Sequence, residues 1–481
     1  MTEELQYAGE FVVERAMIFT SEGAEINIKK LLISLDLYED IRSSSVTGTL
    51  IMQDPLAMSS TAPLIGQEYL SLRIKTPSRT KTELFNFTED VFTINRILDR
   101  TDIEGQQAYT IHMVTHEQMK NLRTRVTRVL KGTESDIFED LMLNTLSTKK
   151  NLFIEPTSGV RKIIPSNVRP FDVINQLTRT ASSEQESSPT YFFYETAKGY
   201  HFRSLESMYA QPPKFNFVNE KKGGNNTAGG ISDVITQLNN IESYQVSNGN
   251  DSVLNIKDGV YASKLITHDI FNKKIETHTF NYHDSFKNQK HINHYDGNTK
   301  DNPMYSATSL EENGIMRISD FPAKTYVSPI SRTSDFIHDS SKQQKTNDGT
   351  SGTFNFTPYN PEQFLMNGTS RKMQLTRGFT IKIETKGNTS LTAGDIVNCN
   401  IDINAVPDGQ IYKDGKDRFY KGRFLVVSIK HSFDFGEQMH TSVMALTKDS
   451  VGNEKLKNMS TPAETRPTKK GRIIKEFYQN A

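Results

Sequence analysis

The stretch Glu25-Ile-Asn-Ile-Lys-Lys-Leu-Leu-Ile-Ser-Leu-Asp-Leu-Tyr-Glu-Asp-Ile41 indicates a β fold, because its apolar residues alternate as they do in β-strands. These residues take one phase before Lys29–Lys30 and the opposite phase after it: first Ile26 and Ile28, then Ile33, Leu35 and Leu37. A β-bulge would produce such a change of phase. The stretch therefore predicts a long strand with one face against a core.

Further strands surround this one, with turn residues between them. They are predicted at Phe11–Phe19, Val46–Met52, Leu70–Ile74, Val91–Leu98 and Ala108–Val114. Successive short strands of this kind indicate a barrel or a sandwich. Residues 1–117 are accordingly predicted to form a first β domain.

The apolar period changes to a helical one after this domain. Apolar residues recur at helical spacing from Thr133 to Leu146, and Pro170 is well placed in the first turn of a second helix. Tyr191–Tyr194 and Tyr200–Leu205 then predict a hairpin around Ala197–Gly199. Residues 118–220 are predicted to form a small α+β domain, followed by a Gly/Asn-rich linker at 221–230.

Strand patterns return on both sides of a polar, poorly periodic stretch. Alternation at Tyr261–His268 and Lys274–Tyr282 precedes that stretch, and alternation at Phe379–Ile383, Val397–Ile403 and Phe424–Phe433 follows it. We expect residues 231–290 and 376–451 to form a second barrel, interrupted by a partly helical insertion at 291–375. Residues 452–481 predict a flexible basic tail.

Bulk composition excludes several classes of function. The chain of 481 residues has 57 basic and 57 acidic side chains, so its net charge predicts no nucleic-acid partner. A single cysteine fits assembly in a reducing cytoplasm. The sequence shows no secretory signal and no apolar run of about 20 residues, so no stable membrane association is expected.

Catalytic motifs are missing from the sequence. It contains no GxxxxGK[ST], no GxGxxG after a strand, no HExxH and no GxSxG. Cys399 lies in the middle of an alternating strand, in phase with Val397 and Ile401, which is typical of a buried core residue. We therefore expect no enzyme activity, no catalytic residues and no cofactor.

The histidine-rich stretch is a weak candidate for a metal site. His291 and His294 are three residues apart, which on a helix would place both rings on one face, and His283 or Asp284 could supply a third zinc ligand. Lysine and asparagine between the histidines favour a solvated loop instead. We expect no bound metal, with His283, His291 and His294 as the weak candidates.

Several stretches together resemble a known family. They are Ser45–Asp54, Arg169–Asn175, Gly259–Asp269, Gly387–Val397 and Tyr420–Val426. In this combination the sequence resembles the central baseplate hub protein of contractile-tailed bacteriophages, a family related to the spike hubs of type VI secretion systems. The resemblance implies a mainly β fold with α+β parts: two similar antiparallel, tail-tube-like β-barrels, a small α/β domain and the insertion.

The resemblance also implies a function and a set of partners. Such hubs are homotrimers whose six barrels form a pseudo-sixfold ring that adapts a hexameric tail tube to a trimeric central spike. The implied partners are the spike, the tube or tube-initiator proteins, the tape-measure protein and the baseplate wedge proteins, with DNA only as cargo passing through the channel. The implied location is the tail baseplate of the virion. The Gly387–Val397 segment is expected to be structural, with Gly387 and Gly394 supplying turn geometry and Thr389 and Asp395 bonding the turn backbone.

Two alternatives come from other functional classes. One is a tail-associated cell-wall or polysaccharide hydrolase, and the other is a carbohydrate- or receptor-binding protein at the baseplate periphery. A sugar-binding protein would expose clustered aromatic side chains, whereas those at Tyr191–Tyr194 alternate within a strand as core residues do.

Overall fold

A computed structural model describes most of the chain. The described residues are 5–20, 23–54, 64–77, 85–103, 106–186, 188–219, 234–248, 251–270, 273–286, 289–293, 308–311, 314–330, 363–401, 420–450 and 473–474. The predicted linker at 221–230 and most of the predicted basic tail lie outside these ranges.

Strands dominate the structure. They are β1 Val12–Phe19, β2 Glu25–Asn27, β3 Leu32–Asp40, β4 Thr47–Asp54, β5 Tyr69–Lys75, β6 Phe85–Ile103, β7 Gln106–Thr115, β8 Leu130–Gly132, β9 Leu152–Ile154, β10 Arg161–Ile163, β11 Tyr191–Thr196, β12 Gly199–Ser204, β13 Phe215–Val218, β14 Ile241–Asn248, β15 Ala262–Asp269, β16 Lys274–Asn281, β17 Thr308–Glu311, β18 Gly314–Arg317, β19 Lys324–Ile330, β20 Phe379–Lys386, β21 Ile396–Asn400, β22 Gly422–Asp434, β23 Met439–Lys448 and β24 Ile473–Ile474.

Short helices connect these strands. They are α1 His116–Arg123, α2 Glu134–Asp140, α3 Pro170–Leu177, α4 Leu205–Tyr209, α5 Val234–Leu238, α6 Ser252–Lys257, α7 Tyr282–Phe286 and α8 Thr369–Arg377. Single π-helical turns follow α2 at Leu141–Thr145 and precede α8 at Gln363–Gly368, and a 3₁₀ turn spans Ile318–Asp320. None of the helices in the described ranges is long and apolar enough to cross a membrane.

The first unit of the fold consists of β1 to β7. Its strands pair in the order β3-β4-β7-β6-β5-β1-β2. At Lys29–Lys30 the chain makes a turn: the Leu31 N–H donates to the Ile28 carbonyl over 2.8 Å, which separates β2 from β3. A bulge-type register irregularity follows between Leu32 and Ser34. Because β2 leads through this turn into β3, the two ends of the strand order meet at one stretch of chain, as in a barrel.

The second unit consists of β13, β14 and β20 to β23. Here the order is β14-β20-β23-β22-β21-β13, and β13 returns to the start of β14 through a bridge between Val218 and Asn240. Within the described residues no full strand ladder closes either unit. Each one is nevertheless a ring of strands joined at its ends by a turn or a single bridge.

The two units share one pairing pattern. In chain order, β1, β2–β3, β4, β5, β6 and β7 correspond to β13, β14, β20, β21, β22 and β23. Two register irregularities of each unit also match: those after Leu32 and Ile94 in the first unit correspond to those after Ile241 and Val426 in the second. One difference is that β13 runs parallel to β21, whereas β1 is antiparallel to β5. The mainly β fold class, with two similar β units, is confirmed.

The α+β part packs around its own core. Strands β9, β11, β12 and β24 form its sheet, and α2 and α3 cover that sheet. Because Ile473 and Ile474 of β24 pair with β9, this part of the predicted flexible tail is a strand. Thr133 caps α2, because its hydroxyl accepts a hydrogen bond from the Asp136 N–H and the Asp136 carboxylate accepts one from the Thr133 N–H. The predicted helices after Thr133 and at Pro170 and the predicted hairpin are all confirmed.

Two strands that the sequence assigned to the second barrel, β15 and β16, lie outside it. Strand β15 pairs with β16 and with β19 in a separate three-stranded sheet, not in the large sheet of the two units. Alternation indicated strands at these positions but carries no information on which partner they choose. The predicted residue limits of the domains remain predictions.

The side chain of Phe433 links the two units, and its removal tests that link. Although β22 belongs to the second unit, the Phe433 ring is fully buried in the core of the first, 5.1 Å from the Phe11 ring centroid. We expect Phe433→Ala to lower the free energy of unfolding by about 3–5 kcal/mol in urea titrations, because it leaves a cavity. Exposed Phe321 is the matched control, and Phe321→Ala should change stability by less than about 0.5 kcal/mol. Equal effects of the two variants would contradict the packing described here.

Candidate functional site at the junction of the two units

A strand pair joins the two units edge to edge. Seven residue pairs connect β3 with β22 in antiparallel register, from Ser34 opposite Asp434 to Asp40 opposite Ser428. Side chains reinforce the ladder, since Asp36 accepts a hydrogen bond from the Ser432 hydroxyl over 2.6 Å and pairs with the Lys430 ammonium at 2.9 Å. The two units therefore share one 13-stranded sheet.

A loop of the second unit, residues 387–395, makes the other main contact; we call it the junction loop. Thr389 exchanges hydrogen bonds of 3.2 Å with Thr76, which directly follows β5 of the first unit. The Ala393 N–H donates to the carboxylate of Glu39 on β3 over 3.0 Å. The junction loop is thus fixed to the first unit at two separate points.

Glu39 is the point at which three parts of the chain meet. Its carboxylate also accepts a hydrogen bond of 2.7 Å from the Ala197 N–H, in the turn between β11 and β12. Burial raises the pKa of Glu39 to about 7, although the two backbone donors oppose this shift. One buried side chain therefore binds the α+β part, the first unit and the second unit together.

The structural roles of Gly387, Gly394 and Asp395 in the junction loop agree in part with the sequence predictions. Gly394 has a positive φ of 87°, and a β-carbon there would collide with the Tyr194 hydroxyl. Asp395 accepts hydrogen bonds from the N–H and hydroxyl of Thr392, at 2.9 and 3.1 Å, so its predicted role in the turn is confirmed. Gly387 is required for a different reason than turn geometry: a β-carbon there would overlap the His440 ring. Thr389, in the same loop, bonds to Thr76 of the first unit.

A buried pair of histidines lies beneath the junction loop. His431 Nε2 donates to the Leu391 carbonyl over 3.2 Å, so its Nδ1 is left to accept a 3.0 Å hydrogen bond from His440 Nε2. The His440 ring stacks on Phe433 at a centroid distance of 4.1 Å. Burial lowers the pKa of His431 to about 3 and that of His440 well below its ordinary value, so both rings are neutral.

A buried ion pair network attaches the α+β part to the first unit. Glu195 accepts hydrogen bonds from the Val46 N–H over 2.9 Å and from the Thr115 hydroxyl over 2.7 Å. Lys150 lies between Glu195 and Glu117, with Nζ 2.5 and 2.9 Å from their carboxylates. These two carboxylates hold the pKa of Lys150 above its ordinary value despite its burial. Breaking such a network leaves an uncompensated charge in the interior.

The candidate metal ligands are not assembled into a site. His283 Nδ1 is 2.6 Å from the Ser319 hydroxyl, whereas both nitrogens of His291 are occupied at 2.8 Å, by Asp449 and by the Phe286 carbonyl. His294 lies outside the described residues. Within those residues, no three His, Cys, Asp or Glu side chains are grouped closely enough to hold a metal ion.

His291 belongs instead to a buried cluster that the sequence did not indicate. Arg371 of α8 lies 3.0 Å from the Glu206 carboxylate and 3.7 Å from that of Asp449, the acceptor of His291. These residues come from the insertion, α4 and the end of β23. The cluster anchors the insertion to the rest of the molecule.

Cys399 is fully buried in β21, as the alternation predicted. Burial raises the pKa of its thiol to about 12, so the thiolate that a nucleophile requires does not form at neutral pH. Cys399 is therefore a core side chain.

Comparison with known proteins adds to this geometry. No family model matches the sequence. It is 21% identical over 276 residues to the probable baseplate hub protein gp334 of Vibrio phage KVP40, a match that covers 56% of this chain and 62% of the relative. The resemblance to phage baseplate hub proteins is confirmed. The match spans about three fifths of the length of this hub relative.

A solved structure supports the fold. The tail protein from Neisseria meningitidis MC58 superposes with a TM-score of 0.50 at 9% identity, over 92% of this chain and 97% of that one. The 43 kDa tail protein of prophage MuSo2 from Shewanella oneidensis gives a TM-score of 0.47 at 7% identity, over 90% and 99% of the two chains. At 9% identity, the Neisseria match shows a common fold.

The buried histidines predict a specific dependence of stability on pH. Below about pH 6.5 the unfolded chain binds a proton at His431 that the folded chain, with a pKa of about 3, does not. The stabilisation from the neutral ring is therefore complete above pH 6.5 and is lost as the pH falls towards 3. His431→Gln should be less stable than wild type at pH 7, and the difference should narrow by up to about 1.4 kcal/mol per pH unit between pH 6 and pH 4.

Urea titrations at several pH values measure this difference. His268 is exposed on β15, and His268→Gln serves as the matched control that should keep a constant difference from wild type. A His431→Gln difference that stays constant or grows on acidification would contradict the buried, neutral pair.

Proposed function

We propose that the chain is a structural hub of a contractile-tail baseplate, in which three copies form a ring of six β units. Such a ring adapts a sixfold tail tube to a threefold central spike. The tape-measure protein and the baseplate wedge proteins are its further proposed partners, and DNA passes through its channel as cargo. Its work is mechanical coupling, without catalytic turnover.

The observation that carries this proposal is the repeated unit. Two rings of strands with the same pairing pattern and matching register irregularities lie side by side in one chain, joined by β3 and β22. A threefold assembly of such a chain presents six similar units, which is the geometric requirement for meeting a hexameric partner.

The rigid junction supports a mechanical role. Glu39, the junction loop and the histidine pair fix the two units to each other and to the α+β part through buried contacts. Buried, fully packed interfaces transmit displacement, whereas exposed and polar interfaces permit the domains to move separately. A hub that transmits force from a contracting tail needs a buried, fully packed interface.

The comparisons support the same proposal. The matched Vibrio phage relative is named as a probable baseplate hub protein, and the Neisseria structure with a similar fold is named as a tail protein. A tail baseplate location in the virion and a non-enzymatic role follow from this assignment. A hydrolase would instead release fragments from purified cell walls, so that assay separates the hub from the enzyme alternative.

The native mass of the purified chain tests the proposal. Light scattering at micromolar concentration should give about 164 kDa, three times the 54.5 kDa of one chain, either alone or after addition of the spike protein. A dimer or tetramer under both conditions, or a monomer that the spike does not convert, would contradict the ring.

A further inference from the structure

The two units contribute different, non-corresponding strands to the contact between them. It joins the outer edge of β3 in the first unit to the second half of β22 in the second unit, and these strands do not correspond to each other. The counterpart of β22 in the first unit is β6, and the counterpart of β3 in the second unit is β14. The contact is therefore heterologous, the kind that can be repeated around a ring.

Within the described residues, each of those two counterparts has an edge that forms no ladder with another strand. Strand β14 pairs along one side with β20, and β6 pairs with β5 through residues up to Thr93 and with β7 along its other side. The Ile94 N–H also donates to the carbonyl of Glu68, just before β5, over 2.9 Å. Beyond Ile94, no strand within the described residues pairs with this edge of β6, and none pairs with the outer edge of β14. In the second unit, the corresponding part of β22 is the part that pairs with β3.

The side chains at these edges are more exposed than their counterparts. Val246 of β14 corresponds to Leu37 of β3, because they pair with corresponding residues of β20 and β4. Leu37 is 1% exposed in the core of the first unit, whereas Val246 is 41% exposed. An exposed β-branched residue on an open strand edge is a liability unless another strand covers it.

We propose that β14 of one subunit pairs in antiparallel register with the second half of β6 in the next subunit, as β3 pairs with β22 within the chain. This inference rests on the proposed ring and adds the interface that closes it. The ring then contains six junctions of one kind, three within chains and three between them, and the occupant of both open edges is a second copy of this chain.

The correspondence fixes the register of the new pair. Within the chain, Asp36 lies opposite Ser432. The counterpart of Asp36 is Gln245, because the two residues occupy the same position in the β3–β4 ladder and in the β14–β20 ladder. The counterpart of Ser432 is Thr101, because the two residues occupy the same position in the β22–β23 ladder and in the β6–β7 ladder. This correspondence takes into account the register shift between Leu98 and Thr101. Thr101 of one subunit should therefore lie opposite Gln245 of the next, and both residues are exposed in the single chain.

Disulfide cross-linking of the double variant Thr101→Cys/Gln245→Cys tests this register. Cysteines directly opposite on antiparallel strands have Cα atoms about 4.5–5.5 Å apart, within the range of a disulfide. The native Cys399 is buried and does not compete. After mild oxidation we expect a covalent trimer of about three chain masses on a non-reducing gel. The control variant Thr101→Cys/Thr277→Cys, with an exposed residue of β16 in place of Gln245, should stay a single chain.

Native mass measured on the same reduced samples separates the two proposals. A native trimer that forms no covalent trimer overturns the β14–β6 interface but leaves the ring intact. A cross-link within one chain also overturns the interface. Failure to trimerise, alone and with the spike protein, overturns the ring and the interface together.

A charge at the open edge provides a second test that needs no disulfide. Val246→Asp places a carboxylate in the proposed interface, and we expect the trimer to dissociate on the order of tenfold more readily. Ile275→Asp on β16 is the matched control, since this isoleucine is also exposed and on a strand but lies outside the proposed pair. Circular dichroism confirms that both variants are folded. Equal dissociation of the two variants would overturn the interface.

Discussion

The hydrogen-bonded ladder between β3 and β22 is the interaction on which the rest of the structure depends. It joins residues almost 400 positions apart in the chain and converts two rings of strands into one 13-stranded sheet. Backbone groups at a strand edge must be paired when they are buried, so the ladder removes an edge from each unit at once. The position of every other contact at the junction follows from this register.

Polar groups are buried around the ladder, and two of them have well-defined partners. The Glu39 carboxylate accepts hydrogen bonds from two backbone N–H groups, and the His431 ring bonds to a backbone carbonyl and to a second histidine. Buried polar groups stabilise little on balance, but they penalise any arrangement in which a partner is missing. The junction is therefore specific: a shift of one residue along β3 would leave Glu39 unpaired and turn Leu35 and Leu37 away from their core.

Local sequence patterns predicted much of the fold and less of the site. Alternation identified most strands of both units but missed β13, and the change of phase at Lys29–Lys30 marked the break between β2 and β3. The chain turns at that point, and the register irregularity follows between Leu32 and Ser34. Alternation could not predict that β15 and β16 pair with β19, because strand partners are chosen by long-range packing. Likewise, the need for glycine at position 387 comes from a ring 53 residues further along the chain, His440, which no local pattern reveals.

We propose that one chain contributes two equivalent units to a threefold ring, and electron microscopy of end-on views of the purified assembly tests this directly. We expect averages with threefold symmetry in which six similar densities surround a central opening. Averages with two-, four- or fivefold symmetry, or with three densities that are not each divided into two similar units, would contradict it.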